Sequence, residues 1–410
     1  MVLRKINNLI VIFIILCSTS FFELSMLGPL QRGIELLGIF VIIGLLLLYM
    51  VYDDQKDFKH HFNLFLILIF LSSVTGLFMA YYDRDQGFVK TLYAERAIYY
   101  YLFYFLLHKL KVNPRDLEKI FIFFGILHII LYLLQYFAYP RIFFDAYILA
   151  ERGTIRIYLA GGDYLAICYY MAIQAFLRTN KPRYMLYTLL SSLVFILQGG
   201  RATIGLMLLI LILAILFSKK VKSRVLIGGL MGLCVLVVFF MFQKIFTELF
   251  LASGKDVSLG SDYVRIKAAL FFLTDFFTTP LAYITGNGMY SSDTAYGQEI
   301  SNIVAANRYY ISDIGIIGNY VVYGIFFVIG VIGIIFRVFK LKLGIEYSYI
   351  KYMFIGACLS VLTSGVFAQT SFICFVCCLL YIVDVSQFNR SNQTLDNPDS
   401  VNDSLTSRKD

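Results

Sequence analysis

The chain has 410 residues, of which 60% are hydrophobic and only 15% charged, with a mean hydropathy of +0.77. A soluble domain carries about 25% charged residues, so this composition excludes an ordinary soluble protein. Apolar runs of ~20 residues, the length that crosses a bilayer, recur from end to end and predict an all-α polytopic membrane protein. The formal charge of +9 would suggest nucleic acid in a soluble protein; here it has to be sorted by side of the membrane, and no nucleic-acid partner is expected.

About twelve transmembrane helices are predicted, at 6–23, 33–52, 62–81, 93–108, 118–138, 160–177, 184–198, 202–217, 225–243, 313–336, 348–366 and 369–385. The first follows Arg4-Lys5 and lacks a small-residue cleavage site, since Phe21-Phe22-Glu23 stands where one would fall; it reads as a retained span. The spans form one domain, 1–385, interrupted by a long polar loop at 244–312, and a polar tail at 386–410 reads as disordered. With the N-terminus inside, the inner connections carry 22 of the 35 basic residues, in keeping with the positive-inside rule. Both termini are then expected in the cytoplasm and the long loop outside.

The outer connections differ in kind. Only Lys90, Lys244, Lys255 and Lys267 are lysines, against Arg32, Arg84, Arg96, Arg141, Arg152, Arg156, Arg201, Arg265 and Arg308. Membrane insertion treats Lys and Arg alike, whereas a guanidinium presents a planar fork suited to phosphate and carboxylate. An external anion site is one reading of this bias. The other is that these arginines snorkel to headgroups or pair with Asp83, Asp85, Glu95 and Glu151. Arg201, in Gln198-Gly199-Gly200-Arg201-Ala202-Thr203, sits in a connection so short that its charge must lie at the mouth of two spans.

In the loop, Ser261-Asp262 makes a plausible helix start, with a helix running to about Thr278 before Pro280; Arg265, three residues after Asp262 on the same side, reads either as a site cation or as half of a helix-end ion pair. Seven cysteines all fall in apolar segments, and Cys374-x-x-Cys377 reads as packed thiols. Of the four histidines, His60, His61 and His108 stand at inner span ends and His128 within a span; metal-ligand spacing is absent along the chain. No metal and no cofactor are expected.

At Gly200-Arg201-Ala202-Thr203-Ile204-Gly205 the sequence resembles the S-R-G-A-x-x-G element of the bacterial O-antigen polymerase–ligase superfamily. Ser261-Asp262-Tyr263-Val264-Arg265, followed by Pro280-Leu281 and Gly286-Asn287-Gly288, is similar to its S-x-R … P-L-x-G-x-G stretch. Asp313-Ile314-Gly315-Ile316-Ile317-Gly318, with Tyr323-Gly324 after it, resembles its G-x-x-G segment, and Arg156 before Gly161-Gly162 is similar, more loosely, to an arginine ahead of an earlier span. The likeness runs from about Arg156 to Gly333. Where ligases carry His-Asn, this chain has Val304 and Ala305, which favours the polymerase branch.

The resemblance implies a GT-C-like fold with an interfacial helix in its external loop. It also implies a metal-independent glycosyltransferase of the bacterial inner (cytoplasmic) membrane. Such an enzyme would polymerise undecaprenyl-pyrophosphate-linked oligosaccharide units into O-antigen, capsule or exopolysaccharide, with a chain-length regulator as a further partner. A pyrophosphate leaving group needs cations where its charge develops; Arg156, Arg201, Arg265 and Arg308 are the candidates. An acceptor hydroxyl needs a base. Asp262, Asp293, Glu299 and Asp313 are available, with Asp313 preferred. An O-antigen ligase and a lipid-linked oligosaccharide flippase are the alternatives.

Overall fold

The computed structural model describes residues 2–52, 60–151, 154–217 and 242–396, and the expected span at 225–243 lies almost wholly outside them. Within that range the chain is a bundle of helices. In order these are α1 (Val2–Ser18), α2 (Gln31–Tyr52), α3 (Asn63–Arg84), α4 (Phe88–Ala94), α5 (Leu102–Leu110), α6 (Pro114–Ala138), α7 (Gly162–Thr179), α8 (Pro182–Leu197) and α9 (Arg201–Phe217). The long loop carries α10 (Gln243–Leu259), α11 (Val264–Thr274) and α12 (Ala295–Asn307), and α13 (Gly315–Lys340), α14 (Ser348–Ser360) and α15 (Thr370–Asp396) follow. A two-stranded antiparallel hairpin, β1 (Tyr147–Glu151) and β2 (Thr154–Tyr158), interrupts the bundle.

Among the described residues five helices are long and apolar enough to cross a membrane: the stretches Ser25–Val51, Asn63–Arg84, Pro114–Ala138, Ile311–Lys340 and Thr370–Arg390. Their outward faces carry large apolar side chains in the open, such as Phe40, Val51, Ile67, Phe78, Phe137 and Phe336. Water would penalise such a surface and lipid does not. The chain is an all-α membrane protein.

α15 is the centre. From Phe372 to Val385 every residue is buried, as expected of a helix apolar all round. The thiols of Cys374, Cys377 and Cys378 are inside it, and that of Cys377 points at the carbonyls of Tyr100 and Tyr101 at 3.7 and 3.8 Å. The helix runs on to Asp396, into the stretch expected to be disordered, and Gln387 donates to the Lys342 carbonyl at 2.8 Å.

Several expected spans are broken. The stretch at 93–108 is α4, a tight turn from Arg96 to Tyr101, and α5. The first helix stops at Ser18, and Ser20 to Glu23 then form a left-handed turn with φ between 47° and 59°. Left-handed backbone costs about 1–2 kcal/mol per residue. The turn is held by the Asp145 amide donating to the Glu23 carbonyl at 2.6 Å and by the Ser25 amide donating to Phe143 at 2.9 Å. The hairpin was readable from Thr154-Ile155-Arg156-Ile157-Tyr158, whose alternation is that of a strand, but the expectation of a plain connection passed over it.

The loop is fixed to the bundle through glycines. α13 breaks at Gly324, where φ is 72° and ψ is −169°. The amides of Asn287 and Gly288 donate to the carbonyls of Val321 and Val322, both at 2.9 Å. A Cβ on Gly286 would run into the Gly324 nitrogen, and one on Gly288 into the Gly76 carbonyl of α3. Gly286 and Gly288 also have φ of 75° and 73°. The glycines of the resemblance therefore work as backbone joints. Gly286→Ala is expected to lower the yield of folded protein and its melting temperature in detergent, while Gly44→Ala, whose Cβ meets nothing within 4 Å, leaves both unchanged. Equal behaviour of the two variants in thermal-shift size-exclusion chromatography counts against the joint.

Candidate functional site

A cavity of about 670 Å³ opens where β2, the turn before α9 and the N-terminal end of α15 meet. Among its lining residues are Arg96, Arg156, Glu23, Glu35, Asp163 and Ser371. A second cavity of about 270 Å³ adjoins it, and the two share Gly162, Asp163, Gln198 and Thr203. Elsewhere the second is lined mostly by apolar side chains, among them Tyr170, Phe195, Leu206, Met207, Met353 and Phe372, with Ser360 and Thr363 adding hydroxyls. A polar chamber thus leads into an apolar annex, with Asp163 at the junction.

Arg156 reaches the chamber from β2, with 9% of its side chain exposed. Its Nε donates to the Gln198 carbonyl at 3.0 Å, Glu151 pairs with its guanidinium, and its Cζ lies 5.0 Å from the Tyr158 ring centroid. The strand fits against the Gln198–Gly200 turn because Gly199 has φ of 61° and no side chain to strike Thr154. Thr154 in turn donates to the Leu197 carbonyl at 2.9 Å. The pairing with Glu151 is the acid pairing that the sequence left open.

Arg201 begins α9 on the far side of the same turn, where the positive end of the helix dipole disfavours a cation. It points to α10 instead, with Nη2 donating to Asp256 at 2.5 Å and Nη1 to Ser253 at 3.2 Å. Its neighbours Gly200 and Thr203 line the chamber; its own side chain does not. Arg265 and Asp313 lie 3.9 Å apart, half-exposed, and neither lines the chamber. Arg308 is the exposed left-handed cap of α12, with φ of 59°. Of the four expected arginines, the chamber contains one and borders a second. Arg96, paired with Glu35, is the lining cation that the sequence counted without singling out.

The loop helix differs from expectation. α11 starts after Tyr263, with no side-chain cap, and Asp262 pairs with Lys267 at 2.9 Å rather than with Arg265. The other loop acids are also engaged. Lys90 and Ser291 hold the Asp293 carboxyl down at about 2. Glu299 takes a two-pronged contact from Arg84 at 2.9 and 3.0 Å. The lowered Asp293 carboxyl is a poor base, and both Glu299 oxygens are taken up by Arg84.

Arg84, at the end of α3, is the loop's anchor. Beyond Glu299 it donates to the Phe276 carbonyl at 2.6 Å and lies 4.5 and 5.1 Å from the Phe276 and Tyr296 ring centroids. Gln86 adds a bond from its Nε2 to the Met289 carbonyl at 2.8 Å, and Met289 is the loop residue that reaches the chamber wall. Removing the 6%-exposed Arg84 strands a carbonyl, but Glu299 is 45% exposed, so the loss is about 1–3 kcal/mol. Arg84→Ala should lower the melting temperature by several degrees and speed proteolysis between 277 and 300; Arg308→Ala should change neither. Comparison of the chain with protein-family models and with curated proteins finds no match.

Proposed function

We propose that this chain is a membrane glycosyltransferase of the O-antigen polymerase kind, acting on polyprenyl-pyrophosphate-linked oligosaccharides. One observation carries the reading. A polar, arginine-bearing chamber opens directly into an apolar annex within a membrane bundle, and a lipid-linked sugar has the same division into polar head and apolar tail. The proposal extends to twelve crossings with both termini cytoplasmic, to the bacterial inner membrane, and to the chamber facing outward.

In this reading the isoprenoid lies in the annex and the pyrophosphate against Arg156 and Arg96, which stabilise charge as it develops on the departing oxygens. The acceptor hydroxyl oxygen bonds to the anomeric carbon as the bond from that carbon to the pyrophosphate breaks. The electron pair leaves with the lipid pyrophosphate, and the hydroxyl proton passes to a carboxylate. The junction of the two cavities is where that bond would sit, so Asp163 replaces Asp313 as the proposed base. Arg201 holds α10 against the chamber rim through Asp256, and Arg265 and Asp313 tie α11 to the entry of α13.

A transporter reading has one observation of its own. The interrupted segments at 94–102 and 361–370 border the same chamber through Arg96, Ala368 and Gln369, and broken helices are common at transport sites. Strains carrying Arg156→Ala, Arg201→Ala or Asp163→Asn decide between the readings. A polymerase predicts protein in the membrane, loss of long-chain polysaccharide and single repeat units outside, with Asp163→Asn slowing synthesis about 100-fold or more. Units trapped on the inner face indicate a flippase, and polymer made but left unattached indicates a ligase. Normal chain length in the Arg156 and Asp163 variants sinks the proposal.

A further inference from the structure

Three of the four histidines meet at one buried aspartate. His60 and His61 stand just before α3, His108 is near the end of α5, and Asp384 lies thirteen residues beyond Ser371 along α15. At 1.5 Å per residue this places the cluster about 20 Å from the chamber. Asp384 is fully buried and His108 is 1% exposed. The donor atoms of His60, His108 and Asp384 all lie within 4.8 Å of one another.

One hydrogen bond places a proton on the His108 ring. His108 Nδ1 lies 2.9 Å from the Tyr104 carbonyl, which can only accept, so Nδ1 carries the proton. Nε2 then faces Asp384 Oδ2, 3.2 Å away in a buried place, and either a second proton or a metal ion between them would join the two atoms. For a tetrahedral ion with bonds of ~2.0–2.1 Å, neighbouring ligand atoms sit about 3.3 Å apart, close to this spacing. The His60 ring lies beside that of His108, with centroids 4.1 Å apart.

The surroundings match what supports metal ligands: a ring N–H given to a backbone carbonyl and a carboxylate oriented by further donors. His61 supplies both its Nδ1, at 2.9 Å, and its backbone amide, at 3.3 Å, to Asp384 Oδ1, and the Tyr104 hydroxyl donates to Oδ2. Two imidazoles and a carboxylate suit zinc and its neighbours over magnesium or calcium.

We propose that His60, His108 and Asp384 bind one divalent transition-metal ion of the zinc class, at the end of the bundle away from the arginine-lined chamber. The ion joins the chain before α3 to α5 and to the central helix. It stands apart from the glycosyl-transfer reading and needs none of its residues. The ligands lie 48 and 276 positions apart in sequence, so no spacing motif reveals them.

The test uses the full chain in detergent, freed of any affinity tag and stripped with a chelator, and titrated with Co²⁺ and then Zn²⁺. One Co²⁺ per chain with visible d–d bands, displaced by Zn²⁺, is the expected result. X-ray absorption of the zinc-loaded wild type should show only N/O neighbours including imidazole. His60→Gln and His108→Gln should weaken Co²⁺ binding about 100-fold and Tyr104→Phe about 10-fold, with His128→Gln unchanged. Absence of the cobalt spectrum in the wild type, or sulfur in the zinc shell, overturns the site whatever the variants do. Undiminished binding in both folded histidine variants overturns it as well, and a proton then holds His108 to Asp384.

Discussion

A helix that breaks inside a membrane bundle leaves carbonyls without their usual donors, and in lipid nothing else supplies them. α13 breaks at Gly324, and the amides of Asn287 and Gly288 meet the carbonyls of Val321 and Val322. The Asn287 side chain adds a second donor to Val321 at 3.0 Å. Each such bond is worth about 1 kcal/mol net, but a buried carbonyl left bare costs about 1–3 kcal/mol. The loop is therefore a structural part of the bundle, and the position of every loop residue at the chamber follows from this joint.

Around that joint the arginines expected on the outer face sort into two uses. Arg84 and Arg201 spend their guanidinium groups on holding loop helices, through Glu299 and Asp256. Arg156 and Arg96 line the chamber while each is paired with one acid, Glu151 and Glu35. Such a pair still offers N–H groups to a second anion, and the acid keeps the buried cation from paying its full desolvation cost while the chamber holds no substrate. The division follows which segment each side chain meets, a loop helix or the chamber wall, and not its order in the sequence.

How much was legible depended on distance along the chain. Helices of unbroken apolar residues were read closely: 184–198 is Pro182–Leu197 and 202–217 is Arg201–Phe217. The signal there is local, a run long enough for lipid. The breaks at 94–102 and at Gly324 were not read as breaks, because they depend on what packs against them; Glu95, fully buried, is satisfied by Ser73 at 2.6 Å from another segment. The motif glycines were found for their likeness to a family, but their task as joints appears only with Gly76 and Gly324 in contact. For the chamber, Arg156 was among the candidate arginines, while Asp163, inside the expected span at 160–177, was not among the candidate acids. Its place between two cavities depends on α7, α9 and α15 together.

The burial of α15 on every side has a consequence for biogenesis. Translation delivers this helix after all the helices that wrap it, so its neighbours enter the bilayer before the pillar they pack against exists. The cleft that receives it is lined by Tyr100, Tyr101, Tyr104 and Tyr164, whose hydroxyls and apolar rings suit a passage first shared with lipid and later closed by protein. The cleft must stay open, or filled by lipid, until residues 370–385 arrive to fill it.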